Sequence, residues 1–142
     1  EMISAVYPDF HIFQKLYGIP DPDPDEVERL LAEFRLLDKT GIVEHHFRTV
    51  DLSSGQRKRL ALIVSLLEKR PIILLDEWAA DQDPEFRRKF YYDLLPALTQ
   101  AGATVVAITH DDRYINELDV PARRLRMDEG RFVGQQQAEN EQ

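Results

Sequence analysis

The chain has 142 residues and carries 18 Lys and Arg against 26 Asp and Glu, a net charge of −8. At about 100–200 residues per domain it is one domain at most. Its 43% hydrophobic and 31% charged residues exclude a disordered acidic tail. The longest apolar run, Leu60–Leu67, falls short of the roughly 18 residues of a spanning helix. The start shows no signal peptide. The absence of cysteine excludes disulfides and thiolate metal sites and fits a cytosolic setting, and the acidic balance argues against non-specific nucleic-acid binding.

Residues 2–6 read as a strand broken by Tyr7-Pro8-Asp9, followed by an aromatic segment with Phe10, Phe13 and Tyr17. Opening directly on a core element, the chain reads as a piece of a longer protein. Gly18 to Pro24 is a turn-rich linker. Asp23, Pro24 and Glu26 form an Asp-x-x-Glu helix start, and the spacing of Val27, Leu30, Leu31, Phe34 and Leu37 predicts a helix to about Leu37. A loose segment from Asp38 to Asp51 holds Gly41 and the adjacent His45 and His46, which read as a surface loop rather than a metal site. A strongly amphipathic helix is expected from about Ser54 to Lys69.

The remainder alternates. Pro71–Leu75 and Thr104–Ile108 are continuous apolar runs, as expected for strands buried on both faces of a parallel sheet. Between them Asp83 caps a helix running from Pro84-Glu85 to about Gln100, with Phe86, Phe90, Leu94 and Leu98 on its core face. A short helix begins near Asp111. Arg123–Met127 and Arg131–Val133 flank Asp128-Glu-Gly130 as a hairpin, and the polar stretch from Gln135 to Gln142 is expected to fray. The order argues for an α/β sheet with a mainly helical insertion over residues 14–69.

Four groups of residues carry chemistry. The run Ile72–Leu75 ends in Asp76-Glu77, and ligands of open α/β sheets sit beyond the carboxyl ends of strands. One acid can hold Mg²⁺ through oxygen and the other can orient or deprotonate an attacking water; the plain alternative is an acid pair opening a solvated loop. Leu52-Ser53-Ser54-Gly55-Gln56 places serines at a helix N-terminus, with Arg57, Lys58 and Arg59 in the first turn against the dipole. A docked anion would relieve that opposition, and Gly55 would let a phosphate approach the backbone; alternatively the cations face solvent. His110 follows the run 104–108 and could donate to a phosphate oxygen or a water, or serve structure alone. In Asp81-Gln82-Asp83, Asp83 is explained as a cap, whereas Asp81 is free to reach a partner.

Taken in chain order, Leu52–Gln56, Asp76-Glu77, Asp83 and His110, the four resemble the nucleotide-binding domain of ATP-binding cassette (ABC) proteins. The resemblance implies a partial P-loop NTPase sheet with a helical signature subdomain (about 14–69), a core from 1–13 and 70–134, and a C-terminal β-hairpin with a tail at 135–142. Leu52–Gln56 looks like the signature and Ile72–Asp76 like the Walker B strand. Glu77 looks like the catalytic carboxylate, Asp83 like the D-loop aspartate and His110 like the switch histidine. A narrower likeness, carried by Asp76-Glu-Trp-Ala-Ala-Asp-Gln-Asp-Pro84, Phe90-Tyr with Leu94-Leu-Pro96, and Thr109-His-Asp-Asp-Arg-Tyr114, is to bacterial cyclic-peptide and siderophore exporters. Ile3–Phe13 is similar to the exporter segment after the Q-loop strand.

The resemblance implies ATP and Mg²⁺ as cofactors, with Asp76 on the metal, Glu77 on water and His110 on the γ-phosphate. Ser53, Ser54, Gly55 and Gln56 would close on the ATP of a second nucleotide-binding domain, and Asp83 would bridge the two. A transmembrane exporter domain, met near Phe10–Phe13, and a place on the cytoplasmic face of the bacterial inner membrane follow from the same likeness; nucleic acid is not a partner. Departures are clear. G-x-x-x-x-G-K-[ST] is nowhere in these residues, and Pro8 stands where many relatives have the Q-loop glutamine. On this likeness the absent phosphate-loop strand would lie beside the Walker B strand, leaving runs 72–75 and 104–108 short of a neighbour and the isolated chain marginal. Two rivals remain: a non-transport ABC ATPase, disfavoured because no heptads precede the signature, and a truncated, non-catalytic interaction module.

Overall fold

The computed structural model describes residues 2–7, 12, 14–19, 21–118 and 120–137. The readings placed on Glu1, Pro8, Phe10, Phe13 and the end of the tail lie outside the described residues. Two compact units are present, residues 1–110 and 111–142.

The first unit is built on a parallel sheet of β1 (Ile3–Val6), β4 (Ile72–Asp76) and β5 (Thr104–Ile108), in the order β1-β4-β5. Between β1 and β4 lie α1 (Pro24–Glu33), the strand pair β2 (Ile42–Val43) and β3 (His46–Phe47), and α2 (Ser54–Leu67). A helical stretch from Pro84 to Gln100 joins β4 to β5. The architecture is the α/β class expected from the alternation.

The strand order corrects one expectation. β4 lies in the middle, paired with β1 from Ile3↔Ile72 to Val6↔Leu75 and with β5 from Ile72↔Thr104 to Asp76↔Ile108. It therefore has both neighbours. Among the described residues β1 and β5 are the two edge strands, each paired on one side by β4. The reading of 104–108 as buried on both faces also fails: Val106 is 47% and Ile108 49% exposed.

Helix boundaries differ where caps act. Asp23 caps α1 by accepting from the Asp25 N–H, but Glu26 pairs with Lys69 at 2.9 Å instead of completing a capping box. α1 stops at Glu33 because Arg35 adopts φ 57, so that the Arg35 and Leu36 N–H groups turn back to the Ala32 and Leu31 carbonyls at 3.0 and 2.7 Å. Leu36 is then fully buried and Leu37, expected in the core, is 43% exposed. No glycine marks this stop, which is why the spacing ran past it.

The stretch from Pro84 is helical to Gln100 but not uniform: α3 (Pro84–Lys89) passes through a π-helical turn at Phe90–Leu94 into α4 (Leu95–Gln100). Pro96 has no N–H to give the Tyr92 carbonyl, and its ring would crowd that group in a regular helix; the wider turn makes the room. Phe86, Phe90 and Leu94 are buried as expected, with Leu98 only half-buried.

α2 is not an amphipathic surface helix. Gly55, Lys58 to Ile63, Ser65 and Leu67 are all buried, so the helix is enclosed nearly all round. The loose segment 38–51 contains the β2–β3 pair, closed by Glu44 and His45, both at positive φ (48 and 65). His45 pairs with Asp21 at 3.2 Å, and His46 Nδ1 lies 2.9 Å from the Glu44 carbonyl, so the two rings serve this turn.

The second unit holds α5 (Asp112–Asn116) and an antiparallel hairpin of β6 (Arg123–Asp128) and β7 (Arg131–Gln137) around Glu129-Gly130. The hairpin is as expected, but β7 extends through Gln137, so the tail begins later than its polarity indicated. Arg124 ties the hairpin to α5 through the Asn116 side chain (2.6 Å) and the Ile115 carbonyl.

Candidate functional site

β4 and β5 end together, and their ends carry the three candidate groups. Asp76 is opposite Ile108, the Glu77 N–H donates to the Ile108 carbonyl at 3.0 Å, and His110 follows two residues on. The ladder thus continues one residue past β4 and fixes where Glu77 leaves the sheet. Glu77 then turns left-handed, φ 50 and ψ 30, and opens a 3₁₀ turn over Trp78–Asp81. His110 Nε2 lies 2.9 Å from Glu77 Oε1, with the imidazole 92% exposed and the carboxylate 30% exposed. The imidazole therefore meets solvent while the acid is held from below. The neighbouring Thr109 hydroxyl is 3.0 Å from the hydroxyl of buried Tyr91, which anchors the segment leading to His110.

Asp76 is half-buried. Among the described residues there is no group of three or more His, Cys, Asp or Glu able to hold a metal by themselves. That fits Mg²⁺, which is ordinarily held by one or two carboxylates together with phosphate oxygens and water rather than by an all-protein cage. Asp76, at the end of β4, could supply one such carboxylate.

The serines of the signature-like segment stand at a helix N-terminus as expected, whereas its glycine and the basic triplet after it are arranged differently. Ser53 caps α2: its hydroxyl accepts from the Gln56 N–H at 3.2 Å, while the Gln56 side chain accepts from the Ser53 N–H at 3.0 Å. Ser53 and Ser54 are exposed, and Gln56 is half-buried. Helix geometry leaves the first-turn N–H groups of Ser54 and Gly55 without intrahelical acceptors. Gly55 is buried, and a Cβ there would stand 2.7 Å from the Asp81 carbonyl oxygen. Its missing side chain thus serves contact with the loop after β4.

Each cation of the triplet has an acceptor. Arg57 donates to the Leu52 carbonyl at 3.0 Å. Lys58 and Arg59 are buried and reach the loop 77–83: Lys58 Nζ is 2.7 Å from Asp81 and 3.1 Å from the Glu77 carbonyl. Arg59 Nε donates to Gln82 Oε1 at 2.8 Å and Nη2 to Asp83 at 2.6 Å. Gln82 in turn donates to the Gly55 carbonyl at 3.1 Å. Asp81, expected to be free, is therefore taken by Lys58. Trp78, a residue of open role in the sequence, is buried against Phe86 and Phe90 and donates from Nε1 to the Lys58 carbonyl at 2.9 Å. Sequence reasoning named Lys58, Arg59 and Gln82 but missed that they join α2 to the loop 77–83.

Asp83 does cap α3, accepting from the Phe86 N–H at 2.9 Å. That bond, then the Arg59 guanidinium, holds its carboxyl below the ordinary aspartate range. A carboxyl stronger in the folded than in the unfolded state stabilises fully above the unfolded pKa, about 3.9, and that contribution is lost as pH falls through the lower folded value. Asp83→Asn keeps a capping side chain but has no titration. Between pH 5 and pH 3 the thermal midpoint of the parent should fall more steeply than that of Asp83→Asn; parallel slopes would exclude a stabilising role for this carboxylate.

An apolar parallel strand thus leads into two carboxylates, of which that of Glu77 meets an imidazole just past the end of the next strand, and a serine-capped helix is bolted to the loop that follows. The ABC transporter family model matches residues 3–80 of this sequence. The chain belongs to the ABC transporter family. The ATP-binding protein SyrD of Pseudomonas syringae pv. syringae is 49% identical over 124 residues, covering 84% of this chain and 22% of SyrD. The glutamine transport ATP-binding protein GlnQ of Escherichia coli K12 is 30% identical over 142 residues, covering 92% of this chain and 57% of GlnQ. The fold is similar to that of a bacterial Atm1-family ABC exporter solved with ATP bound, at TM-score 0.71 and 22% identity over 94% of this chain and 25% of the exporter. The chain therefore spans only part of the length of these relatives. Among the described residues no helix is long and apolar enough to cross a membrane.

Proposed function

We propose that this chain is part of an ABC nucleotide-binding domain that binds and hydrolyses ATP to drive export of a cyclic peptide or siderophore. The observation that carries the reading is the pairing of Glu77 with His110 at 2.9 Å, at the carboxyl ends of adjacent parallel strands beside Asp76. Glu77 has the chemistry to take up or orient a water proton, and His110, nearly all exposed, can donate to an oxygen of the phosphate being transferred. Bound Mg²⁺ would supply charge neutralisation at the phosphate oxygens. Ser53, Ser54, Gly55 and Gln56 present the N-terminal end of α2, whose dipole favours an anion. In this reading that anion is the ATP of a second nucleotide-binding domain, and Asp83 lies at the junction between the two.

No phosphate-cradling loop is present in these residues, so hydrolysis is a property of the intact transporter in this proposal. Export, rather than uptake, and the substrate class are supported by the run from Asp76 to Pro84 and by the Phe90-Tyr and Thr109–Tyr114 segments. The site faces the cytoplasmic side of the bacterial inner membrane in such an assembly, next to a transmembrane domain. The test has two parts. The purified intact protein should release phosphate from ATP only with Mg²⁺ present. Deletion of its gene should empty the culture medium of the producer's cyclic peptide or siderophore, which should accumulate in the cells. Unchanged secretion would reject the export reading, and Mg²⁺-dependent turnover at background level would favour the non-catalytic interaction module.

A further inference from the structure

Lys58 is buried, with 5% of its side chain exposed. Burying an ammonium is costly unless its donors are used. Here they are used on two targets in one loop: the Asp81 carboxylate at 2.7 Å and the Glu77 carbonyl oxygen at 3.1 Å. The same carbonyl also accepts from the Ala80 N–H at 3.2 Å, and the Glu77 N–H is engaged by the Ile108 carbonyl at 3.0 Å. The peptide groups on both sides of Glu77 are thus fixed. Glu77 needs this, because φ 50 is a sparsely populated conformation for a residue with a Cβ and persists only where the surroundings over-determine it. The Lys58 main chain adds a second tie, its carbonyl accepting from Trp78 Nε1 at 2.9 Å.

We propose that Lys58, steadied by Asp81, is a positioning residue for Glu77: its ammonium holds the Glu77 carbonyl, which keeps the left-handed turn and aims the carboxylate at His110. Arg59 makes no such contact; it bonds Gln82 and Asp83, further along the loop. Lys58 therefore couples the helix behind the signature-like segment to the backbone that carries the carboxylate. This inference rests on the reading of Glu77 as the carboxylate that orients water.

The experiment is a double-mutant cycle in the intact protein, read by Mg²⁺-dependent ATP turnover. Lys58→Met should lower kcat by about 10- to 100-fold, as misplacement of a reacting group by about an ångström does, with KM for ATP changed less than about threefold. Adding Lys58→Met to Glu77→Gln should lower single-turnover hydrolysis no further, because a residue that acts through Glu77 has nothing left to position. A further loss in the double variant equal to the loss in the single one overturns the proposal, as does full turnover in Lys58→Met. Full turnover in Glu77→Gln alone rejects instead the underlying reading of Glu77. Asp81→Asn provides an arm that does not depend on burying a new side chain, since Asp81 is 46% exposed. It should fold as the parent, keep its KM and lose kcat about three- to tenfold, a partial form of the same misplacement. An unchanged kcat in Asp81→Asn overturns the role given to the pair.

Discussion

Replacing Glu77 with Gln in the intact protein is expected to lower steady-state ATP turnover by about 10²- to 10⁴-fold, the range supplied by a positioned general base, while ATP still binds. The substitution is close to isosteric. The backbone features that place residue 77, the N–H to the Ile108 carbonyl and the carbonyl to Lys58, are main-chain bonds and survive it. What is lost is the carboxylate beside His110. An amide cannot accept a proton from water, so the nucleotide should persist unhydrolysed and, if the proposed pairing with a second nucleotide-binding domain holds, the closed, ATP-bound pair should accumulate. Phosphate release and the fraction of dimer in the presence of ATP measure the two effects together. Retained turnover would remove Glu77 from the chemistry and leave its contact with His110 as a structural one.

The largest expected loss of stability follows from Arg59→Ala. Arg59 is buried, with 10% of its side chain exposed, and its guanidinium lies 3.6 Å from the centre of the Phe86 ring. Burial pulls its pKa below the usual guanidinium range, and the Asp83 carboxylate opposes that pull. Alanine would leave the buried Gln82 amide oxygen without its donor, remove a desolvated cation from the Phe86 face and open a void between α2 and α3. An unmade buried hydrogen bond of about 1–3 kcal/mol and a desolvated cation–π contact of about 2 kcal/mol together suggest a loss of about 3 kcal/mol or more. The Asp83 pair adds little to that sum, because the carboxylate is 53% exposed. For a domain of this size such a loss is a fall in thermal midpoint of about 10 °C, measurable by circular dichroism. Arg59→Lys should recover only part of it, since an ammonium cannot fork to Gln82 and Asp83 together. A fall of less than about 2 °C in Arg59→Ala, worth under about 1 kcal/mol, would show that the network carries no stability.

The parts of this protein that the sequence determined by itself are those whose chemistry closes within a few residues. Ser53 and Gln56 cap each other across three residues, Asp83 caps the Phe86 N–H across three, and Asp128-Glu-Gly130 turns a hairpin with its own positive φ angles. Continuous apolar runs ending in Asp76-Glu77 and Thr109-His110 also disclosed the strands and the groups at their ends, because a strand long enough to be enclosed must be apolar throughout and the next polar residue must emerge at its tip. Tertiary structure decided the rest. Lys58 and Arg59 look like solvent-facing cations until helix α2 is enclosed, and their partners lie 19 to 24 residues away, Glu77, Gln82 and Asp83. The need for glycine at position 55 arises from the Asp81 carbonyl across the same gap. Strand order is equally non-local: nothing within 72–76 or 104–108 tells that the first run has two neighbours and the second, among the described residues, one. Hydrogen-bond partners chosen by chain crossing leave no periodic trace in either segment, so the candidate groups could be named from the sequence while the clamp that holds Glu77 in place could not.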